Sequence, residues 1–309
     1  MKTFSAVAGC ALLALSGVCS AQLPGGVTPE MIASSLPEEG APKAQVGPYA
    51  VTVEPAFGTT SFRTFRPSSL DKFPKPDTLP VVVWGNGGCA VDNTKYNGFL
   101  STIASHGFLV ITTAGPPPQE GAPRRQATAA DLTAAVDWAE AENNRTASPL
   151  KGKIDTKKVA VMGQSCGGAL ALTLGADARV GTIGVFNSGV QAANANAPAS
   201  TTFPGTEALK KLHGPVLLIN GHERDFMMAR SKATYDAVEK LPAFYGARHG
   251  AGHTATAYHV GGGEFANVAS DWVLWLFKGD RKAGTMFVGA KCGLCTNSNW
   301  DVESKRLPK

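Results

Sequence analysis

The stretch Gly163-Gln164-Ser165-Cys166-Gly167 sets a serine between two glycines, after the apolar run Val159-Ala160-Val161-Met162 and before Gly168-Ala169-Leu170-Ala171-Leu172. A β-branched strand turning sharply into a small-residue helix is the setting of a nucleophile elbow. The turn thrusts the serine hydroxyl clear of the backbone, and the flanking glycines let strand and helix pass without side-chain collision. The chemistry of such a turn is acyl transfer, with the helix N-terminus facing any oxyanion formed there. In a chain with 35 glycines the bare Gly-x-Ser-x-Gly pattern is weak, and the strand and helix around it carry the reading.

A serine nucleophile needs a base, an acid to orient that base, and donors for the oxyanion. After the apolar run Pro215 to Asn220 come Gly221-His222-Glu223-Arg224-Asp225, which offer two carboxylates. Asp225 is favoured as the orienting acid and Glu223 is second; the competing role for Asp225 is a helix N-cap, since a helix is expected directly after it. The next loop, Arg248-His249-Gly250-Ala251-Gly252-His253-Thr254, carries two histidines. His253 is favoured as the base because the glycine before it permits close approach to the elbow. His249 is second and His259 third, while His106, His213 and His222 fall on other loops or at helix ends. The order Ser, Asp, His is thereby satisfied. For the oxyanion, one expected donor is the backbone N–H of Cys166. The other comes from Gly85-Asn86-Gly87-Gly88-Cys89, with Asn86 and Gly87 as candidates.

These loops require a scaffold. Tyr49 to Val53 and Phe62 to Phe65 read as paired strands, and Leu79 to Trp84 as a buried one. A helix over Tyr96 to Ser105 precedes a strand over Phe108 to Thr112, and Thr128-Ala129-Ala130-Asp131 opens a capping box for a helix through Glu142. The elbow strand follows, then strands at Val180 to Phe186 and Pro215 to Asn220, a helix over Phe226 to Leu241, and Ala243 to Ala247 as the last strand. The alternation predicts an α/β fold with a mostly parallel sheet covered by helices on both faces. A final helix places Phe265, Val268, Ala269, Trp272 and Leu276 on one core-facing stripe and ends before Gly279. The segment between Phe186 and Pro215, with one short helix over Thr206 to Leu212, leaves no room for a large lid domain. An open site, suited to soluble or polymeric esters, is expected.

Residues 1–21, with Lys2, an apolar stretch from Ala6 to Val18 and Cys19-Ser20-Ala21, read as a secretory signal peptide, so residues 22–309 are expected as one exported catalytic domain. No later segment approaches the ~20 unbroken apolar residues of a membrane span. The formal net charge is +5 with no basic run longer than two, which argues against a nucleic-acid partner. Of six cysteines, four lie beyond the leader: Cys89, Cys166, Cys292 and Cys295. Three pairings exist. Cys89 with Cys166 and Cys292 with Cys295 are favoured, because the first two flank the proposed active-site turns and the latter form a CxxC. No second CxxC or nearby histidine completes a zinc site around the latter pair. Asn144-Arg145-Thr146 is a glycosylation sequon that matters only in a eukaryotic secretory pathway.

Through Trp84-Gly85-Asn86-Gly87-Gly88-Cys89, the elbow, and Gly252-His253-Thr254 followed by Gly262-Gly263-Glu264-Phe265, the chain resembles the α/β-hydrolase superfamily. Within it, these motifs are similar to those of secreted esterases near the dienelactone hydrolase and polyester hydrolase groups, as is the tail Cys292-Gly293-Leu294-Cys295 with Trp300. The resemblance implies a Ser-His-Asp triad and ester hydrolysis through an acyl-enzyme, which calls for no metal or organic cofactor. Two departures limit it. Dienelactone hydrolases use a cysteine nucleophile where this chain has Ser165, and polyester hydrolases usually carry an aromatic, Met or His beside the serine where this chain has Gln164 and Cys166. The alternatives are a serine peptidase of the same fold and a non-catalytic binding protein that retains it.

Overall fold

The computed structural model describes residues 28–91, 94–115, 125–191 and 203–308; the leader read at 1–21 lies outside them. After a short helix α1 (Pro29–Ala33), strands β1 (Val51–Pro55) and β2 (Phe62–Pro67) form an antiparallel pair. Then follow β3 (Leu79–Gly85), α2 (Asn97–Ser105), β4 (Leu109–Thr113), α3 (Ala129–Asn144), β5 (Ile154–Gln164), α4 (Cys166–Leu174) and β6 (Val180–Phe186). The chain continues through β7 (Val216–Gly221), α5 (Met228–Ala237), β8 (Ala243–Arg248), α6 (Ala255–Tyr258), α7 (Gly263–Lys278), α8 (Arg281–Gly284) and β9 (Trp300–Lys305). All nine strands among the described residues join one sheet in the order β1-β2-β4-β3-β5-β6-β7-β8-β9. The six from β4 to β8 in that order run parallel, and antiparallel strands close both edges.

The strand alternation explains why helices cover both faces. Val81 and Val83 of β3 enter one core with Leu132 and Ala135 of α3 and Leu170 and Leu172 of α4. Val82 and Trp84 point the other way, onto Phe99 and Ile103 of α2 and Phe265 and Trp272 of α7. The predicted capping box forms at α3: the Thr128 N–H and hydroxyl donate to the Asp131 carboxylate at 2.8 and 2.9 Å. On α7 the stripe holds at Phe265, Val268, Ala269 and Trp272, but Leu276 is only half-buried and Phe277 takes the inner position. The segment at Thr206–Lys211 is a 3-10 helix, and the loop before it at 192–202 lies outside the described residues.

Other expectations fail too: the helix expected over Phe226 to Leu241 spans only Met228–Ala237. Ala243 to Ala247 is not the last strand, because β9 pairs antiparallel with β8, setting Asp301 opposite Ala247 and Trp300 opposite Arg248. Its sequence, Trp-Asp-Val-Glu-Ser-Lys, is mostly polar because an edge strand buries little. Both favoured cysteine pairs are disulfides, Cys89–Cys166 and Cys292–Cys295. No helix among the described residues is long and apolar enough to cross a membrane.

Candidate active site

The chemistry-bearing loops hang from the carboxyl ends of β3, β5, β7 and β8, which the parallel sheet brings to one edge. Ser165 sits at the β5–α4 junction with φ 53° and ψ −121°, a conformation that side chains other than glycine adopt only when the surroundings enforce it. The enforcement is visible: its N–H donates to the Phe186 carbonyl at 2.9 Å, and its own carbonyl accepts from the Ser188 hydroxyl at 2.6 Å. Of four non-glycine residues with positive φ among those described, Cys89, Ser165 and Asn187 gather here, so backbone strain is concentrated at this edge.

Gly167 shows how tightly the turn is built. A methyl group there would lie 2.0 Å from the Gly85 carbonyl oxygen and 2.8 Å from the Asn86 nitrogen, both main-chain atoms that cannot swing aside. Gly167→Ala should therefore push α4 away from β3, at a cost of about 1–3 kcal/mol. A lower melting temperature together with at least tenfold slower turnover is the expected result, read by a thermal melt and an ester assay.

Ser165, His253 and Asp225 form one hydrogen-bonded chain. The Ser165 Oγ lies 2.9 Å from His253 Nε2, and His253 Nδ1 lies 2.9 Å from Asp225 Oδ1. His253 and Asp225 are 3% and 4% exposed, which shields their pairing from water. The buried carboxylate is fully satisfied: Oδ1 also accepts from the Met227 N–H at 3.0 Å, while Oδ2 accepts from Asn187 Nδ2 at 2.7 Å and the Gly221 N–H at 3.2 Å. These donors fix the face Asp225 turns to the imidazole, and the carboxylate in turn sets the tautomer that leaves Nε2 free to accept from the serine. The base loop is clasped from behind. Ser35, just past α1, is fully buried and accepts from the Thr254 N–H at 2.9 Å and the Thr254 hydroxyl at 2.7 Å.

The second-choice residues lie elsewhere. Glu223 accepts from the Gly250 N–H at 3.0 Å at the surface, and its carboxyl is held below the usual carboxylate range, chiefly by its own main-chain N–H. The His249 ring lies tilted against that of His222 with centroids 4.3 Å apart, and both Nε2 atoms face Asp301, at 3.2 and 3.1 Å. One ligand atom each from His222, His249 and Asp301 lie within 4.8 Å of one another, a donor set of the kind transition metal ions favour. Sequence reasoning missed this cluster because Asp301 sits on the unforeseen β9. His259 packs edge-on against Phe265, and burial among apolar groups lowers its affinity for a proton. His106 closes α2 and meets the Gln45 carbonyl, and His213 meets that of Ala176.

Two loop positions were candidates for the second oxyanion donor. The Asn86 side chain braces the loop against β4, donating to the Ala90 carbonyl at 3.0 Å and accepting from the Thr112 hydroxyl at 3.1 Å. The Gly87 N–H donates to the Tyr96 hydroxyl at 3.3 Å and so has a partner inside the protein. The disulfide joins Cys89 of this loop to Cys166, the first residue of α4. Phe226 was missed as well: it is 67% exposed, and its ring lies 4.1 Å from that of His253.

The nine-stranded sheet and the elbow at its carboxyl edge define an α/β-hydrolase fold. A family model described as PETase, PET hydrolase-like, matches residues 37–298. The chain belongs to this family of ester hydrolases. No curated protein matches it.

Proposed function

We propose that this chain is an exported serine hydrolase that cleaves carboxylic ester bonds, polyester among its substrates, through the triad Ser165, His253 and Asp225. The observation that carries the reading is the unbroken hydrogen-bonded chain from Ser165 Oγ through the imidazole to the Asp225 carboxylate, 2.9 Å at each step, on a strained turn. His253 Nε2 takes the hydroxyl proton as Oγ attacks the ester carbonyl, and Asp225 stabilises the imidazolium that forms. The Cys166 N–H, in the first turn of α4 and so without an intrahelical partner, and the Asn86 N–H receive the oxyanion. Collapse of the tetrahedral intermediate expels the alcohol, protonated by His253. Water then attacks the acyl-enzyme with His253 as base and releases the acid. No step in this sequence calls on a metal or organic cofactor. Family membership favours an ester over a peptide bond, and the two disulfides fit an oxidising destination reached through the leader at 1–21.

The test is hydrolysis of p-nitrophenyl esters of increasing acyl length and of polyester film, with fluorophosphonate labelling located by mass spectrometry. Turnover with stoichiometric label on Ser165 is expected. A folded protein that cleaves no ester and takes no label overturns the proposal. The exposed ring of Phe226 beside the base offers an apolar wall to the substrate. Phe226→Ala is expected to raise KM for aromatic esters about fivefold, with kcat changed less than twofold, as loss of about 1 kcal/mol of ring contact would do.

A further inference from the structure

The residue before the nucleophile is a glutamine that never reaches the surface. Gln164 is 2% exposed, and its carboxamide links Tyr96 to the loop bearing His253. Its Nε2 donates to the His253 carbonyl at 2.7 Å, while its Oε1 accepts from the Tyr96 hydroxyl at 2.6 Å. The Tyr96 oxygen in turn accepts the Gly87 N–H at 3.3 Å. The polarity of the chain is fixed at every link. A backbone N–H donates to the phenol, so the phenol proton goes to the amide oxygen, and the amide NH2 must face the main-chain carbonyl of the base. Burial pushes the Tyr96 hydroxyl well above its usual range, so it remains a neutral donor. The space is closed around this arrangement: a methyl at position 87 would lie 2.1 Å from Gln164 Oε1 and 2.6 Å from the Tyr96 oxygen.

We infer that Tyr96 and Gln164 are positioning residues that hold the oxyanion loop and the base loop in register with Ser165. The inference rests on the triad reading above. A buried polar network is costly to assemble where an apolar side chain could fill the same volume, and this one connects all three elements the reaction needs at once. Its lever is distance. The Gln164 amide nitrogen also stands 3.4 Å from His253 Nε2, the atom that faces Ser165, so its loss frees the base at the point where a displacement of about 1 Å can cost a hundredfold in rate.

The experiment compares Tyr96→Phe, Gln164→Leu and the double variant for kcat, KM, melting temperature and fluorophosphonate labelling. Each single change is expected to lower kcat about ten- to a hundredfold with KM within twofold, Ser165 still labelling to completion but more slowly. The double variant should be no worse than the poorer single, because both break one chain. Gln164→Glu supplies a readout that plain structural damage would not move. Burial and the His253 carbonyl favour the protonated carboxyl, which replaces the amide donor, so relative to wild type kcat/KM should be highest at low pH and fall as the carboxyl ionises at higher pH. Single variants within twofold of wild type, effects that multiply in the double variant, or losses equal to the unfolded fraction overturn the inference while labelling at Ser165 leaves the triad standing. A wild type inert to ester and probe overturns both.

Discussion

Ser165→Ala is expected to abolish ester turnover, with a loss on the order of 10⁵- to 10⁶-fold in kcat, while the melting temperature stays within a few degrees of wild type. The hydroxyl is half-buried on a turn whose geometry is set by its neighbours: the Phe186 carbonyl, the Ser188 hydroxyl and the packing of Gly163 and Gly167. Removing one oxygen leaves those contacts in place. His253→Ala should cost nearly as much. The double variant should cost no more than Ser165→Ala alone, because nucleophile and base act as one unit and the residual rate comes from binding and the oxyanion donors. Steady-state kinetics on a p-nitrophenyl ester, with a thermal melt of each variant, check this. Losses that multiply would mean that the 2.9 Å contact between Ser165 Oγ and His253 Nε2 is not the route of the proton.

The second large effect belongs to the bridge between Cys89 and Cys166. It joins residues 77 apart in sequence, and a loop of that size restricts the unfolded chain by about 4–5 kcal/mol in the chain-entropy account. Replacing both cysteines by serine is expected to lower the melting temperature by on the order of 10 °C. The bridge also ties the loop bearing Asn86 to the first residue of α4, so kcat should fall about tenfold with the two N–H groups no longer held at a fixed separation. A melt and an ester assay of the double serine variant, beside wild type treated with a thiol reductant, provide the test. Unchanged kcat with a lowered melting temperature would confine the bridge to stability.

The parallel core was legible because each buried strand is a β-branched or aromatic run bounded by turn residues, as in Leu79 to Trp84 and Val180 to Phe186. The elbow was legible for a related reason, since the strain at Ser165 demands glycines at fixed offsets. What escaped were features whose partners are remote in sequence. Tyr96 and Gln164 are 68 residues apart, and a glutamine beside the serine carries no periodic signal. Asn187 follows β6 in Asn-Ser-Gly, which reads as an ordinary turn. Its tolerance of a left-handed backbone, φ 49° here, was the one clue to a special position. β9 escaped because its alternation of Trp300 and Val302 with Asp301 and Glu303 lasts only two periods before Ser304 and Lys305, and its pairing depends on β8 rather than on its own composition.

The clasp behind the base loop has a bearing on how such a protein loses activity with time. Ser35 is attached to the rest of the molecule through residues 36–50, a stretch without helix or strand, of which Leu36 is 52% and Val46 75% exposed. A protease cutting there would leave every sheet hydrogen bond intact while severing the covalent tether of the segment that grips Thr254, one residue from the imidazole, with contacts such as Glu38 on Arg248 as its remaining ties. Working lifetime would then be governed by the survival of this strap, with the melting point of the sheet a poor guide to it.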